Sequence, residues 1–275
     1  YLFSWLVDEK ENRIYLGPGR ADKVLVYDLK GNYLPDEVIR FGEIVHKSQI
    51  WVDYDKKNVV VVTLPFSANV NSNFAINKNV CWVQNRDGDI VHRIPVNHYG
   101  LIGDYSNALV ARRNVDAISF SISEIPMLRT RPDTLYHYDA VKNIITPCFT
   151  IDHVVSENQS ACTVLYETSR SYWARVTLYP NDISSNSSPV RLTTFNVCVS
   201  KKDGSVKRID RFTNDFLGLS YPFLTMRNGY VCISYDPLEL MDALDKVLAQ
   251  TDLKPEIRKR ATGLRNSLYE NDNDI

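Results

Sequence analysis

The segment Val24-Leu-Val-Tyr-Asp-Leu-Lys-Gly-Asn-Tyr33 joins two apolar runs through a polar turn, and the chain repeats this pattern three more times. The other copies are Val80-Cys-Trp-Val-Gln-Asn-Arg-Asp-Gly-Asp-Ile-Val91, Leu135-Tyr-His-Tyr-Asp-Ala-Val-Lys-Asn-Ile-Ile145 and Phe195-Asn-Val-Cys-Val-Ser-Lys-Lys-Asp-Gly-Ser-Val-Lys207. Alternating apolar runs are typical of strands, and Asp-Gly supplies the positive φ that a tight hairpin needs. Each copy is therefore predicted to be a β-hairpin. The predicted turns lie near Gly31, Gly88, Lys142 and Gly204.

The four hairpins recur roughly every 55 to 60 residues. Repeats of about that length indicate a propeller or another radial array. Two further apolar runs precede each hairpin, as Ile50–Asp53 and Val59–Thr63 do in the second repeat. Four consecutive strands make one antiparallel blade. The predicted fold class is therefore all-β, a β-propeller of four-stranded antiparallel blades followed by two C-terminal helices.

The predicted domain organisation is one propeller over residues 1–275. Its repeats are placed at about 1–40, 41–97, 98–152, 153–212 and 213–235, with a helical segment at 236–271. The fifth repeat has two of its four strands. Because an open sheet edge favours aggregation, we expect the missing strands before Tyr1 or after Ile275.

The helical segment begins with a recognisable cap. Asp236 is the predicted N-cap, Pro237 occupies the first helical position and Glu239 follows three residues after the cap. Apolar residues spaced by three and four continue through this helix and through a second helix that begins near Pro255.

Composition limits the classes of partner. Of the 275 residues, 44% are hydrophobic and the formal net charge is −1, which argues against nucleic acid or an anionic membrane as the main partner. No apolar run approaches the roughly 18 residues of a transmembrane helix. The chain begins at Tyr1 without a signal-like segment, so we expect that any export signal has already been removed.

The five cysteines lie in apolar strand segments: Cys81, Cys148, Cys162, Cys198 and Cys232. Their odd number and the lack of a Cys-x-x-Cys spacing favour small buried hydrophobes over disulfides or a metal site. No metal and no cofactor is predicted.

Two parts of the chain resemble a known family. Arg131-Pro-Asp-Thr-Leu-Tyr136, followed by Pro147-Cys-Phe-Thr-Ile-Asp152, resembles a blade of a gut-bacterial six-bladed β-propeller family of exported proteins and lipoproteins. Asn214-Asp-Phe-Leu-Gly218 and the helical pair resemble that family's C-terminal end, although Asp274 stands where the family usually has Pro. The resemblance implies six blades when complete and a periplasmic or cell-surface location, with a lipid anchor outside this chain. The family has no established activity, so no catalytic residue is transferred.

Connection lengths indicate where a ligand would bind. Most turns after the first and third strands are short, whereas the other connections are long, and these two classes emerge at opposite ends of the strands. Binding residues are expected on the long loops. Three histidines fall in the connections that lead to the next blade: His46, His98 and His153. His98 and His153 lie ten residues beyond the hairpin turns, and the same offset in the fourth repeat gives Asn214. They could form a metal or polar ligand site, or they could form hydrogen bonds with neighbouring loop residues.

Arginines and aromatic residues add further candidates. Arg129 and Arg131 share one long loop, and a guanidinium group binds carboxylate, sulfate or phosphate through two hydrogen bonds. A salt-bridged surface is the alternative. Tyr172 and Trp173 could stack on a sugar, but their position in a short turn favours packing against neighbouring residues.

The leading hypothesis is a non-enzymatic, exported module that binds a polar or anionic glycan, or another anionic small molecule, on the long-loop face. A carbohydrate-active hydrolase or lyase with carboxylates at the channel mouth is one alternative, and a scaffold for a protein partner is another. The sequence contains no Gly-x-Ser-x-Gly, phosphate-binding glycine loop or His-Glu-x-x-His that would identify an enzyme.

If the arginine loop binds an anionic ligand, replacing Arg129 and Arg131 by alanine should weaken binding by about 1.5 to 3 kcal/mol for each charged hydrogen bond lost. Binding should also weaken with added salt, because salt screens exposed charges beyond a Debye length of about 8 Å at physiological ionic strength. Calorimetric titration at two salt concentrations measures both effects. Equal affinity of the double variant and the wild type would contradict the hypothesis.

Overall fold

The structure is a computed structural model that describes most of the chain. The described residues are 2–18, 20–46, 48–53, 57–63, 78–95, 108–113, 118–123, 133–152, 159–180, 192–222, 226–227, 230–231 and 233–272. All structural statements below refer to these residues.

The described chain contains four four-stranded antiparallel sheets, each made of four consecutive strands. The first sheet contains β1 (Leu2–Asp8), β2 (Arg13–Pro18), β3 (Arg20–Asp28) and β4 (Ile39–His46). The second contains β5 (Ser48–Asp53), β6 (Asn58–Thr63), β7 (Asn79–Asn85) and β8 (Ile90–Pro95). The third contains β9 (Ala108–Arg113), β10 (Ile118–Ser123), β11 (Asp133–Asp139) and β12 (Ile144–Ile151). The fourth contains β13 (Gln159–Glu167), β14 (Ser171–Pro180), β15 (Thr193–Ser200) and β16 (Val206–Ile209).

These sheets are the blades of a β-propeller, as the sequence predicts. In each blade the strands pair in chain order, and the first strand of each blade lies near the first strand of the next. This places β1, β5, β9 and β13 together, with the fourth strands on the outside.

The predicted hairpin turns are confirmed at their special backbone positions. Gly31, Gly88 and Gly204 have positive φ, and in the third blade Asn143, next to the predicted Lys142, takes that role. Each of the first three turns begins with a residue whose side-chain oxygen accepts backbone N–H groups two to four residues further on. The accepting residues are Asp28, Asn85 and Asp139. Such side-chain turns explain why Asp and Asn recur at these places.

The first blade differs from the prediction. Its turn at Gly31 is followed by a single bridge from Tyr27 to Tyr33 and by a 3-10 helix at Pro35–Glu37, and the fourth strand begins only at Ile39. Proline has no N–H to donate to a ladder, which ends strand pairing there. The connection between the third and fourth strands is therefore the longest in this blade. By contrast, β3 begins two residues after the end of β2, and β5 begins two residues after the end of β4. The prediction of long loops at that end is wrong for the first blade.

Hydrophobic clusters lie between consecutive blades. In β6, Val59 and Val61 pack towards the first blade, while Val60 and Val62 pack towards the third. Side chains of a strand alternate between the two faces of a sheet, so a continuous run of valines buries both faces. A third cluster, around Leu135 of β11 and Leu165 of β13, joins the third and fourth blades in the same way.

A fully buried glutamine connects the first two blades by hydrogen bonds. Gln84 Nε2 donates to the carbonyl of Arg40 on β4 at 2.5 Å, and Gln84 Oε1 accepts from the Gly42 N–H at 3.2 Å and from Trp82 Nε1 at 2.8 Å. Since buried polar groups are costly without partners, these bonds select one alignment of β4 against the second blade.

The chain after the fourth blade forms two short hairpins and two helices. The hairpins contain β17 (Phe212–Thr213) with β18 (Ser220–Tyr221) and β19 (Met226–Arg227) with β20 (Tyr230–Val231). The helices are α1 (Pro237–Leu248) and α2 (Pro255–Asp272). Asp236 accepts the N–H of Leu238, which confirms the predicted N-cap. Neither helix has the length and hydropathy that crossing a bilayer requires.

The two helices pack on each other and on the turn between β17 and β18. Leu244, Val247 and Ala261 are buried with Leu219 of that turn, and Leu264 is packed beside them. The apolar stripes predicted from the sequence therefore meet in this separate hydrophobic cluster.

Substituting Gly42 should test the contact between the first two blades. A Cβ at this position would lie 2.3 Å from the Gly88 carbonyl oxygen, so Gly42→Ala should destabilise the protein by about 1 to 3 kcal/mol. Gly263 offers a matched control, since a Cβ there meets nothing within 4 Å and Ala is the better helix former. Gly263→Ala should stabilise by about 0.5 to 1 kcal/mol. Denaturant unfolding of both variants measures the difference, and equal changes would contradict the close contact.

Candidate functional site

A cavity of about 320 Å³ lies between the β17–β18 hairpin and the two helices. Eight residues line it: Asn214, Leu217, Leu219, Tyr221, Ile233, Tyr235, Leu240 and Leu264. Three of them carry polar side-chain groups and five are aliphatic. An apolar cavity with a few polar groups is the usual form of a small-molecule site.

The hairpin side of the cavity is held by a side-chain turn. Asn214 Oδ1 accepts the N–H groups of Phe216 at 2.6 Å and of Leu217 at 3.0 Å. Gly218 closes the turn with a φ of +73°, and its N–H donates to the Asn214 carbonyl at 2.8 Å. Both side-chain bonds use Oδ1, so the Nδ2 amide group of Asn214 is not part of the turn.

The helical side of the cavity is fixed by contacts between α1 and α2. Arg258 Nη1 donates to the carbonyl of Leu248 at the end of α1, at 2.8 Å. This cation satisfies a carbonyl that the helix itself leaves without a partner. Arg265 forms an ion pair with Asp245 at 2.5 Å across the two helices. These bonds, together with buried Leu244, hold the cavity walls in place.

The polar groups of the cavity are the Asn214 amide and the hydroxyls of Tyr221 and Tyr235. Burial raises the pKa of Tyr221, and nearby Tyr235 and Asp215 raise it further. The Tyr221 hydroxyl is therefore neutral at pH 7 and able to donate a hydrogen bond. None of the described residues that line the cavity is acidic.

A second group of chemically active side chains lies between the third and fourth blades. Glu167, at the end of β13, has a side chain that is 1% exposed. His137 Nε2, from β11, is 2.7 Å from Glu167 Oε2, and Lys201 Nζ forms an ion pair with Glu167 Oε1. A buried carboxylate requires such partners, because desolvation strongly disfavours an isolated charge.

Aromatic side chains cover this ion-pair cluster. Tyr172 of β14 stacks on Phe149 of β12 with ring centroids 4.4 Å apart, and Lys201 Nζ lies 4.7 Å from the Tyr172 ring centroid. A stacked ring and an ammonium group cannot share one face, so both faces of Tyr172 are covered. The predicted packing of Tyr172 against neighbouring residues is therefore confirmed, and its ring has no open face on which a sugar could stack. Trp173 points to the other side of the blade and contacts Phe212.

Cys148 completes the cluster. Its thiol donates to the carbonyl of Leu135 at 3.2 Å, and burial, with a contribution from Glu167, raises its pKa to about 12. The ligand atoms of His137, Cys148 and Glu167 all lie within 4.8 Å of one another. These three residues are the described group that could hold a metal ion.

Of the six binding residues predicted from the sequence, the structure describes two. Asn214 lines the cavity, although its side-chain oxygen serves the turn. His46 is the last residue of β4 and pairs with Arg20 in the ladder, so its assignment to a connection is wrong. β4 spans Ile39–His46, whereas the sequence predicts that the first repeat ends at about residue 40. Four candidates lie outside the described residues: His98, His153, Arg129 and Arg131.

Sequence reasoning missed the cluster around Glu167. Its members come from three different hairpin strands and a turn, and the spacing of His137, Cys148 and Glu167 matches no metal motif. Cys148 was expected to be a small buried hydrophobe, and it is instead a half-buried thiol beside charged groups. Cys81 is a buried free thiol, as expected, whereas Cys198 is a free thiol that is only half-buried.

No family model matches the chain, and no curated protein matches it. The resemblance to the gut-bacterial propeller family therefore stays a prediction. Solved structures do match. The GH43 protein BlXynB from Bacillus licheniformis shares 12% identity over 75% of this chain and 42% of its own length, with a TM-score of 0.36. An endo-arabinase from Bacteroides thetaiotaomicron shares 12% identity over 86% and 93% of the two chains, with a TM-score of 0.35.

A prolyl endopeptidase shares 15% identity over 76% of this chain and 28% of its own length, with a TM-score of 0.38. The chain thus spans less than half the length of the prolyl endopeptidase and of BlXynB. Likenesses at these identities and TM-scores carry no information about the activity of this chain.

Removing the cation of the cluster should destabilise the protein. Lys201→Met leaves the buried Glu167 carboxylate without its ammonium partner, which should cost about 1.5 to 3 kcal/mol. The exposed neighbour Lys202 offers a control, and Lys202→Met should change stability by less than about 0.5 kcal/mol. Denaturant unfolding compares the two variants. Equal stability would show that the ion pair contributes nothing to folding.

Proposed function

We propose that the protein is a non-enzymatic β-propeller module that binds a carbohydrate in the cavity between the β17–β18 hairpin and the two helices. The observation that carries the proposal is the lining itself, in which one amide and two phenol groups lie among five aliphatic side chains. At about 320 Å³ the cavity is at the lower end of the range for small-molecule pockets, so the ligand is small.

The chemistry of a sugar ring fits this lining. A pyranose ring presents C–H groups on its faces and hydroxyl groups around its edge. The aliphatic walls of Leu217, Leu240 and Leu264 offer contact to the C–H groups. The amide of Asn214 and the hydroxyl of Tyr235 offer hydrogen bonds to the ring hydroxyls. The three polar lining residues would satisfy part of the hydrogen-bonding groups of the sugar, and the cavity opens to solvent, which leaves water for the others.

The same lining supports binding over hydrolysis. Most glycoside hydrolases use two carboxyl groups that flank the scissile bond. The eight residues that line the cavity include no Asp and no Glu. A carbohydrate-active enzyme would therefore need acidic residues outside the described part of this cavity.

The proposal also includes an anionic ligand for the arginine loop and a location outside the cytoplasm. An anionic glycan would be bound by the loop that carries Arg129 and Arg131, and this loop lies outside the described residues. Export to the periplasm or cell surface, with a lipid anchor, rests on the family resemblance. Fractionation of cells that produce the natural full-length protein tests the location, and recovery in the cytoplasm would contradict it.

The binding proposal is tested by screening neutral and acidic oligosaccharides with thermal shift and then measuring affinity by calorimetry. Tyr235→Phe removes one hydroxyl from the cavity and should weaken binding of a neutral sugar by about 0.5 to 1.5 kcal/mol. Ile233→Trp adds bulk at the cavity wall and should reduce binding further. Added salt should leave the affinity for a neutral sugar unchanged, because no charge is involved.

Tyr269 provides the matched control. It lies on α2 with half of its surface exposed, and it is not among the lining residues. Tyr269→Phe should bind the sugar as the wild type does. Equal affinities of Tyr235→Phe, Ile233→Trp and the wild type would place the sugar elsewhere on the molecule. Salt-dependent binding of acidic sugars alone would favour the arginine loop over the cavity.

A further inference from the structure

Three different metal-binding side chains meet between the third and fourth blades. His137 comes from β11, Cys148 from β12 and Glu167 from β13, and their ligand atoms lie within 4.8 Å of one another. None of these three residues lines the cavity, so a role for them does not depend on the proposed sugar binding. The cluster therefore requires an explanation of its own.

We propose that His137, Cys148 and Glu167 bind one zinc ion and thereby link the third and fourth blades. Thiolate, imidazole and carboxylate are the three ligand types that zinc accepts together, whereas magnesium and calcium prefer oxygen ligands alone. Three protein ligands leave the fourth tetrahedral position to water. The partial exposure of His137, at 28% of its side chain, gives solvent access to that position.

The charges of the occupied site are largely balanced. One thiolate and one carboxylate offset the two charges of Zn²⁺, and the remaining positive charge, on the Lys201 ammonium group, sits on a side chain that is 22% exposed. Lys201 pairs with Glu167 Oε1, and Glu167 Oε2 is the oxygen that lies beside His137 Nε2 and would face the metal. A ligating carboxylate is usually held by such an outer partner.

Occupation requires small and specific changes. Cys148 releases its thiol proton to solvent, and His137 carries its remaining proton on Nδ1 so that Nε2 can coordinate. Zinc bonds of about 2.0 to 2.3 Å place tetrahedral ligand atoms about 3.3 to 3.6 Å apart. The distance of 2.7 Å between His137 Nε2 and Glu167 Oε2 must therefore increase, and the hydrogen bond between them is replaced by two bonds to the metal. Movements of the side-chain ligand atoms by about 1 Å are sufficient, because these atoms already lie within 4.8 Å of one another.

The first measurement uses the wild-type chain and cobalt as a spectroscopic substitute for zinc. Metal-stripped protein titrated with Co²⁺ should develop thiolate-to-cobalt absorption in the near ultraviolet and tetrahedral bands in the visible, with one ion per chain. Zn²⁺ should then displace the cobalt and abolish both signals. Magnesium and calcium should not. If cobalt produces no thiolate absorption in the wild type, the proposal is wrong, and no variant is needed to show it.

Variants then identify the ligands. Cys148→Ser should abolish the thiolate absorption. His137→Ala and Glu167→Gln should each lower the affinity for zinc at least tenfold, since even the loss of a residue that only hydrogen-bonds a metal ligand usually costs that much. Cys198→Ser is the matched control, since Cys198 is another half-buried free thiol outside the cluster. This control should keep both the absorption and the affinity.

Folding is monitored by circular dichroism, and zinc should raise the melting temperature of the wild type and of Cys198→Ser but not that of Cys148→Ser. Loss of the signal in Cys198→Ser with retention in Cys148→Ser would overturn the assignment. Unchanged zinc affinity in His137→Ala and Glu167→Gln would also overturn it.

Discussion

Burial of both sheet faces between consecutive blades is the constraint on which the structure depends. A four-stranded antiparallel sheet with two apolar faces is not stable alone in water, because each face must be covered. In β6 the run of four valines supplies both faces, two residues towards the first blade and two towards the third. The same alternation around Leu135 and Leu165 extends the stack to the fourth blade. The order of the blades is thus fixed by side chains that point alternately in two directions.

Polar groups in these interfaces add specificity that apolar contacts lack. Gln84 aligns the first two blades, because its amide has defined partners on β4 in only one register. Glu167 occupies a similar place between the third and fourth blades, but it carries a charge and gathers His137 and Lys201. The first of these buried groups is completely satisfied by neutral partners. The second has ionisable partners, and this difference makes it a candidate for metal chemistry.

The C-terminal part of the chain forms a different kind of packing unit. The turn at Asn214–Gly218 and the two helices share one hydrophobic cluster, which is built around Leu219, Leu244 and Ala261. A Cβ on Gly218 would lie 3.0 Å from Val247, so the turn can approach the helices closely only without a side chain there. The cavity lies where this hairpin and these helices fail to fill the space between them. Its polar groups come from the strand and loop side, and its aliphatic wall comes partly from the helices.

The sequence by itself determined the strands, most hairpin turns and the helix cap, because each depends on residues near one another in the chain. Alternation, Asp-Gly turns and Asp236 before Pro237 are local signals. Local signals failed in the first blade, where a 3-10 helix at Pro35–Glu37 precedes β4 and the strand includes His46. Only the tertiary structure brought His137, Cys148 and Glu167 together, since two blades must first stack to make them neighbours. The cavity likewise depends on how the hairpin and helices pack, which no spacing along the chain records.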